Sequence, residues 1–185
     1  EDVHHYLTKY LAMQAGFSRS VAARIGFETQ ELDMDDRDAM HHVVSHENME
    51  KYHFVSALRM SELRQHAFGK DANGGVPWRR IGEYFHALED SYSHQMNPTR
   101  RVYGERFRDK VAKVDIGHGL HGHEPDWTWR RPELATAMVK EVYEEMVLLC
   151  AQIGGAPCES RPLTEVVASV QKFIGFEPKL YDDSK

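Results

Sequence analysis

The run His86-Ala-Leu-Glu-Asp90-Ser-Tyr-Ser-His94 places two imidazoles and a carboxylate at four-residue steps. On an α-helix each such step turns the chain by only about 40°. His86, Asp90 and His94 therefore share one face over two turns, and together they can ligate a divalent ion. Imidazole with carboxylate suits zinc better than calcium or magnesium. The same spacing also describes a plain surface helix that happens to carry two histidines and an aspartate. Phe85 and Tyr92 lie close to this face, which argues against a freely solvated stripe. Histidines brought to a buried face need partners, and one metal ion can partner several at once.

A second cluster follows at Gly117-His118-Gly119-Leu120-His121-Gly122-His123-Glu124-Pro125-Asp126. Its glycines would let backbone approach an ion closely, and its imidazoles and carboxylates are further N and O donors. A solvated, flexible glycine loop is the competing reading. On residue type alone, His4 (beside His5 on an amphipathic first helix), Asp33 and His53 read as surface or capped groups. His41, His42, His46 and His66 read as surface. Cys150 and Cys158 are too few for a disulfide scaffold and form no Cys-x-x-Cys pair, so any metal chemistry is that of histidine and carboxylate. They flank the turn Gly154-Gly155-Ala156-Pro157, which permits a single bridge.

The elements that must position these groups read as helices. Val3, Tyr6, Leu7, Tyr10, Leu11 and Ala15 recur at helical steps, with Gly16 as a stop. Ser18 caps a second helix bearing Val21, Ile25 and Leu32, and the acidic stretch 33–38 breaks it. A third helix is expected over 56–67, before the turn Asp71-Ala72-Asn73-Gly74-Gly75. Pro77 opens the helix that carries the histidine run, ending near Gln95. Residues 97–130 read as a long irregular loop of functional character. Pro132 opens the longest helix, with Leu134, Met138, Val142, Met146 and Leu149 on one stripe, and a last helix spans 162–174. No segment alternates with period two. The expectation is an all-α fold in one domain over residues 1–185.

Composition limits the partners. A net charge of −6 disfavours a broad basic surface for nucleic acid, although Arg79-Arg80, Arg100-Arg101 and Arg130-Arg131 are local basic pairs or solvated helix ends. With 41% hydrophobic and 28% charged residues and a mean hydropathy of −0.60, the chain reads as soluble and globular. It holds no run that would span a membrane and no signal-peptide pattern. A first residue other than Met reads as a processed chain or a fragment.

The ordered set His4, Asp33, His53, His86-x3-Asp90-x3-His94, then a late His and Asp126, resembles the zinc-dependent phospholipase C and single-strand nuclease superfamily. More narrowly it is similar to domains at the C-termini of bacterial Rhs-type polymorphic toxins. The resemblance is carried by Asp2-Val3-His4, Leu7 to Ala12, Tyr52 to Ser56, Gly82 to His94 and Gly117 to Asp126. It implies an all-α fold around two or three zinc ions. One ion would be held by Asp33, His53, His86 and Asp90, and a second by His94, Asp126 and either His118 or His123. A third would use His4 and Asp90, but Glu1 stands where those proteins have tryptophan. The step from Asp90 to His94 also has three intervening residues where the phospholipases and nucleases commonly have five.

The activity so implied is phosphodiester hydrolysis. Asp33 and Asp90 would be its catalytic carboxylates, with Asp33 orienting the attacking water. Arg100, Arg101 or Arg130 would meet the phosphate. Net acidity, with Leu120, Trp127 and Trp129 in the loop, favours a phospholipid headgroup; stacking on Trp127 or Trp129 would favour single-stranded nucleic acid. A metal-stabilised binding module without turnover is the rival from another class. Family analogy adds a secreted or translocated effector toxin held in check by a cognate immunity protein.

Overall fold

A computed structural model describes residues 2–34, 49–53, 55–93, 128–153 and 158–175 of the chain. Among them the regular elements are all helical. A π-helical segment, Asp2–Leu7, runs into α1 (Thr8–Gln14), and α2 is Arg19–Gln30. A 3-10 turn at Glu31–Asp33 and a second π-helical segment at Met49–His53 precede α3 (Ala57–Ala67). Then come α4 (Trp78–Ser93), a 3-10 turn at Thr128–Arg130, α5 (Pro132–Ile153) and α6 (Leu163–Ile174). The expected helices are present close to their expected bounds. No described helix is long and apolar enough to cross a membrane.

Local chemistry accounts for these bounds. The Ser18 and Ser56 hydroxyls accept from the backbone N–H of Val21 and Arg59 at the starts of α2 and α3. After α1, Gly16 turns the chain with φ +101°, a conformation that a side chain would strain. α5 buries Leu134, Met138, Val142, Met146 and Leu149, the stripe its sequence shows. α6 sets Val166, Val170 and Ile174 into the same core. A Cys150–Cys158 disulfide ties the C-terminal end of α5 to the segment before α6, with Cα atoms 6.0 Å apart. Closing so short a loop constrains the unfolded chain by about 2.5 kcal/mol in the chain-entropy account.

The element that matters most is α4. Its sequence suggests one buried face, yet every residue from Ile81 to Tyr92 is buried, because α2, α3 and α5 pack around it. α2 can approach because Gly82 has no side chain: a Cβ there would stand 2.3 Å from the Glu28 carbonyl oxygen. Gly26 allows the same close approach of α2 to the first segment, near the His5 carbonyl. Polar side chains on α4 are thereby forced to find partners inside the protein. Tyr84 donates to Glu145 at 3.0 Å, and Arg64 forks onto the same carboxylate at 2.7 and 3.2 Å. Burial, and then the Glu145 charge, push the Tyr84 hydroxyl far above its ordinary pKa, so it remains a donor. On the next turns Tyr92 donates to Glu141. Arg131 reaches the Ser93 carbonyl at 3.2 Å and joins the end of α4 to the start of α5.

Candidate metal centre

His86 lies at the middle of α4 with no exposed surface, and Asp90 sits one turn later at 2% exposure. Their side chains meet His4 from the N-terminal π-helical segment and His53 from the second one, both buried. π-helical turns recur at functional sites, where the widened turn re-aims a side chain. Asp33 arrives from the 3-10 turn after α2. Thus residues far apart in sequence converge on one helix.

The hydrogen bonds decide which ring nitrogens face the cluster. His86 Nδ1 is 3.0 Å from the Thr29 carbonyl oxygen, which can only accept, so Nδ1 carries the proton. That leaves Nε2 with a lone pair, 3.0 Å from His53 Nδ1, 3.3 Å from Asp90 Oδ2 and 3.5 Å from Asp33 Oδ1. His53 Nδ1 is also 3.0 Å from Asp90 Oδ2. Two donors on one tetrahedral zinc-like ion, each bound at ~2.0–2.1 Å, lie about 3.3 Å apart. The observed spacings match that edge length. The donors Asp33, His53 and His86 thus lie close enough together to hold one divalent metal, with Asp90 Oδ2 beside His53 and His86.

The other oxygen of Asp90 meets a third ring. Asp90 Oδ1 is 3.2 Å from His4 Nε2, and the His4 ring stacks on His86 with centroids 4.2 Å apart. Two groups of donors, His4–His86–Asp90 and Asp33–His53–His86, each lie within 4.8 Å and can hold an ion. His4 and His53, surface groups on residue type alone, are instead buried walls of the site. Asp33 differs from the rest, with its side chain 36% exposed, so solvent reaches the described part of the cluster from its side.

Residue types did not single out Glu89, Thr8 or Thr29. Glu89 is 1% exposed; His4 Nδ1 donates to its Oε2 at 2.7 Å, and the Thr8 hydroxyl binds its Oε1. The available signal was modest: His4 and Thr8 stand four apart on one helical face, and Glu89 adjoins Asp90 on a helix that is otherwise largely apolar around them. Nothing local points to the Thr29 carbonyl. Of the remaining expected site residues, His94, Arg100, Arg101, His118, His123, Asp126 and Trp127 lie outside the described residues. Arg130 is exposed at the turn before α5, its guanidinium 5.2 Å from the Trp129 ring centroid.

Electrostatics in the metal-free chain follow from the same geometry. Burial opposes a charge on His4, but hydrogen bonds to Asp90 and Glu89 and their negative charges outweigh it and hold His4 well above the ordinary histidine value. A proton held more tightly by the folded than by the unfolded chain stabilises the fold. That contribution is complete below about pH 6.5 and fades as pH rises through the raised folded value. Metal-free protein is thus expected to lose stability as pH climbs above ~6.5, whereas bound metal, which displaces the proton, should flatten the slope. Urea midpoints at stepped pH, with and without chelator, check this. A metal-free midpoint that climbs over the same interval contradicts it.

Comparison with protein-family models, curated proteins and solved structures finds no match to this chain.

Proposed function

We propose that this protein is a zinc-dependent phosphodiester hydrolase acting on a phospholipid headgroup, in the manner of a phospholipase C. The observation that carries the proposal is the single carboxylate, Asp90, offering Oδ2 to the His53 and His86 nitrogens and Oδ1 to the His4 nitrogen. Shared carboxylates of this kind suit two-metal sites for in-line displacement at phosphorus. Zinc so held would lower the pKa of a bound water toward ~7 and polarise the phosphoryl oxygen.

The chain's own residues supply the rest. Thr29 and Glu89 fix the ring orientations of His86 and His4, so that their Nε2 atoms face Asp90. Asp33, the most open carboxylate of the described set, orients the attacking water and takes its proton. Among the residues not described, His94, Asp126 and either His118 or His123 would complete the metal ligands. An arginine, from Arg100, Arg101 or Arg130, neutralises the phosphate.

The net charge of −6 favours a lipid headgroup over a nucleic-acid polyanion. The Cys150–Cys158 bond suits an oxidising compartment, and so a secreted or translocated effector, with a cognate immunity protein as its natural partner.

Gently purified protein is expected to carry at least two equivalents of zinc. It should release diacylglycerol and phosphocholine from phosphatidylcholine vesicles, stop under chelation, and recover on zinc addition. Nucleotide release from single-stranded DNA without diacylglycerol would make it a nuclease. Bound zinc without turnover on either substrate would leave a metal-stabilised binding module, and no zinc at all would sink the proposal.

A further inference from the structure

We infer that Glu89 is the positioning residue of the His4 half of the site: it accepts a hydrogen bond from the ring's Nδ1–H and so turns Nε2 onto the Asp90 carboxylate. The inference rests on the metal-centre reading above but concerns atoms on the other side of the imidazole. Glu89 is 1% exposed, and a buried carboxylate is costly unless its oxygens are used. Both are. Oε2 accepts from His4 Nδ1 at 2.7 Å, and Oε1 accepts from the Thr8 hydroxyl, which also lies 3.0 Å from the Val3 carbonyl oxygen.

Consecutive positions on a helix diverge by about 100°. Glu89 and Asp90 can therefore address the two nitrogens of one ring, Nδ1 at 2.7 Å and Nε2 at 3.2 Å. The ring has few other ways to sit, because it is also stacked on His86. Thr8 follows His4 by four residues, so the segment that delivers the ring also anchors the group that aims it. A carboxylate behind a ligating imidazole fixes its orientation and raises its basicity, and loss of such a partner costs ~10–100-fold in metal affinity. The bland alternative is a buried ion pair that merely ties the N-terminal segment to α4. It predicts a loss of stability without selectivity between the two halves of the site.

Glu89→Gln and Glu89→Ala, with His4→Ala as reference, separate these. Gln keeps an acceptor for the Nδ1 proton but loses the charge; Ala loses both. In metal-free protein the His4 Nδ1 proton should be slow to exchange by NMR in wild type and Glu89→Gln, and fast in Glu89→Ala. In zinc titrations against a competing chelator, Glu89→Ala should weaken by ~10–100-fold only the equivalent that His4→Ala also removes. Glu89→Gln should weaken that equivalent less. Equal loss of every equivalent, or affinities within about twofold of wild type, would overturn the inference; so would a fast Nδ1 proton in wild type. If wild type takes up no zinc, the proposed function fails and this inference with it; zinc uptake without the selective loss in Glu89→Ala overturns this inference alone.

Discussion

On the proposed function, Asp90→Asn is expected to remove metal uptake and nearly all hydrolysis while leaving a folded, helical chain. Asparagine keeps the volume and one oxygen of aspartate, so α4 should pack as before. What it loses is the charge that faces three rings: His53 Nδ1 at 3.0 Å, His4 Nε2 at 3.2 Å and His86 Nε2 at 3.3 Å. Its amide N–H could also donate to the His86 Nε2 lone pair that a metal would otherwise use. Loss of an outer-shell partner costs ~10–100-fold in metal affinity, and loss of a shared ligand should exceed that. In rate, the drop in kcat/KM should be on the order of 10³-fold, as for removal of a principal electrostatic group. Elemental analysis, circular dichroism and the vesicle assay on the same preparation check all three parts. If Asp90→Asn retained its zinc and a tenth or more of the activity, the bridging carboxylate would have to be another residue.

Gly82→Ala should be the most damaging single methyl group in the described part of the chain. The new Cβ would lie 2.3 Å from the Glu28 carbonyl oxygen and 2.5 Å from its carbonyl carbon. These are backbone atoms within α2, so relief requires the whole helix to retreat from α4. Overpacking of this kind costs about 3 kcal/mol or more, roughly a 6–12 °C fall in Tm for a domain of this size. The damage reaches the site, because the next residue, Thr29, supplies the carbonyl that fixes His86. Weaker zinc binding should accompany the lower Tm. Calorimetry showing a Tm within about 2 °C of wild type would mean that α2 and α4 separate more easily than their contact suggests.

Much of the architecture was legible in local pattern. The Ser18 and Ser56 caps, the Gly16 stop and the α5 stripe are short-range features, and they set the described helices close to their expected bounds. The His86–Asp90 spacing was legible for the same reason, since four residues on a helix place two side chains on one face. The environment of α4 was not. Its apolar and polar residues suggest an amphipathic helix, but a helix can be buried on every side when neighbours cover its polar face as well. That depends on α2 fitting against Gly82, a contact across more than fifty positions of sequence.

For this protein, then, the sequence by itself determined the helical fold, the histidine–aspartate helix and an ordered set of candidate donors along the chain. Residue identity and near-neighbour spacing are enough for those. Only the tertiary structure decided that His4 and His53 are buried against α4, that one oxygen of Asp90 faces His4 and the other His53 and His86, and that Thr29 and Glu89 choose the nitrogens which face Asp90. The physical reason is reach. A helix period says which face a side chain occupies, whereas a hydrogen-bond partner 85 positions away, such as Glu89 for His4, exists only once the core has brought the two segments together.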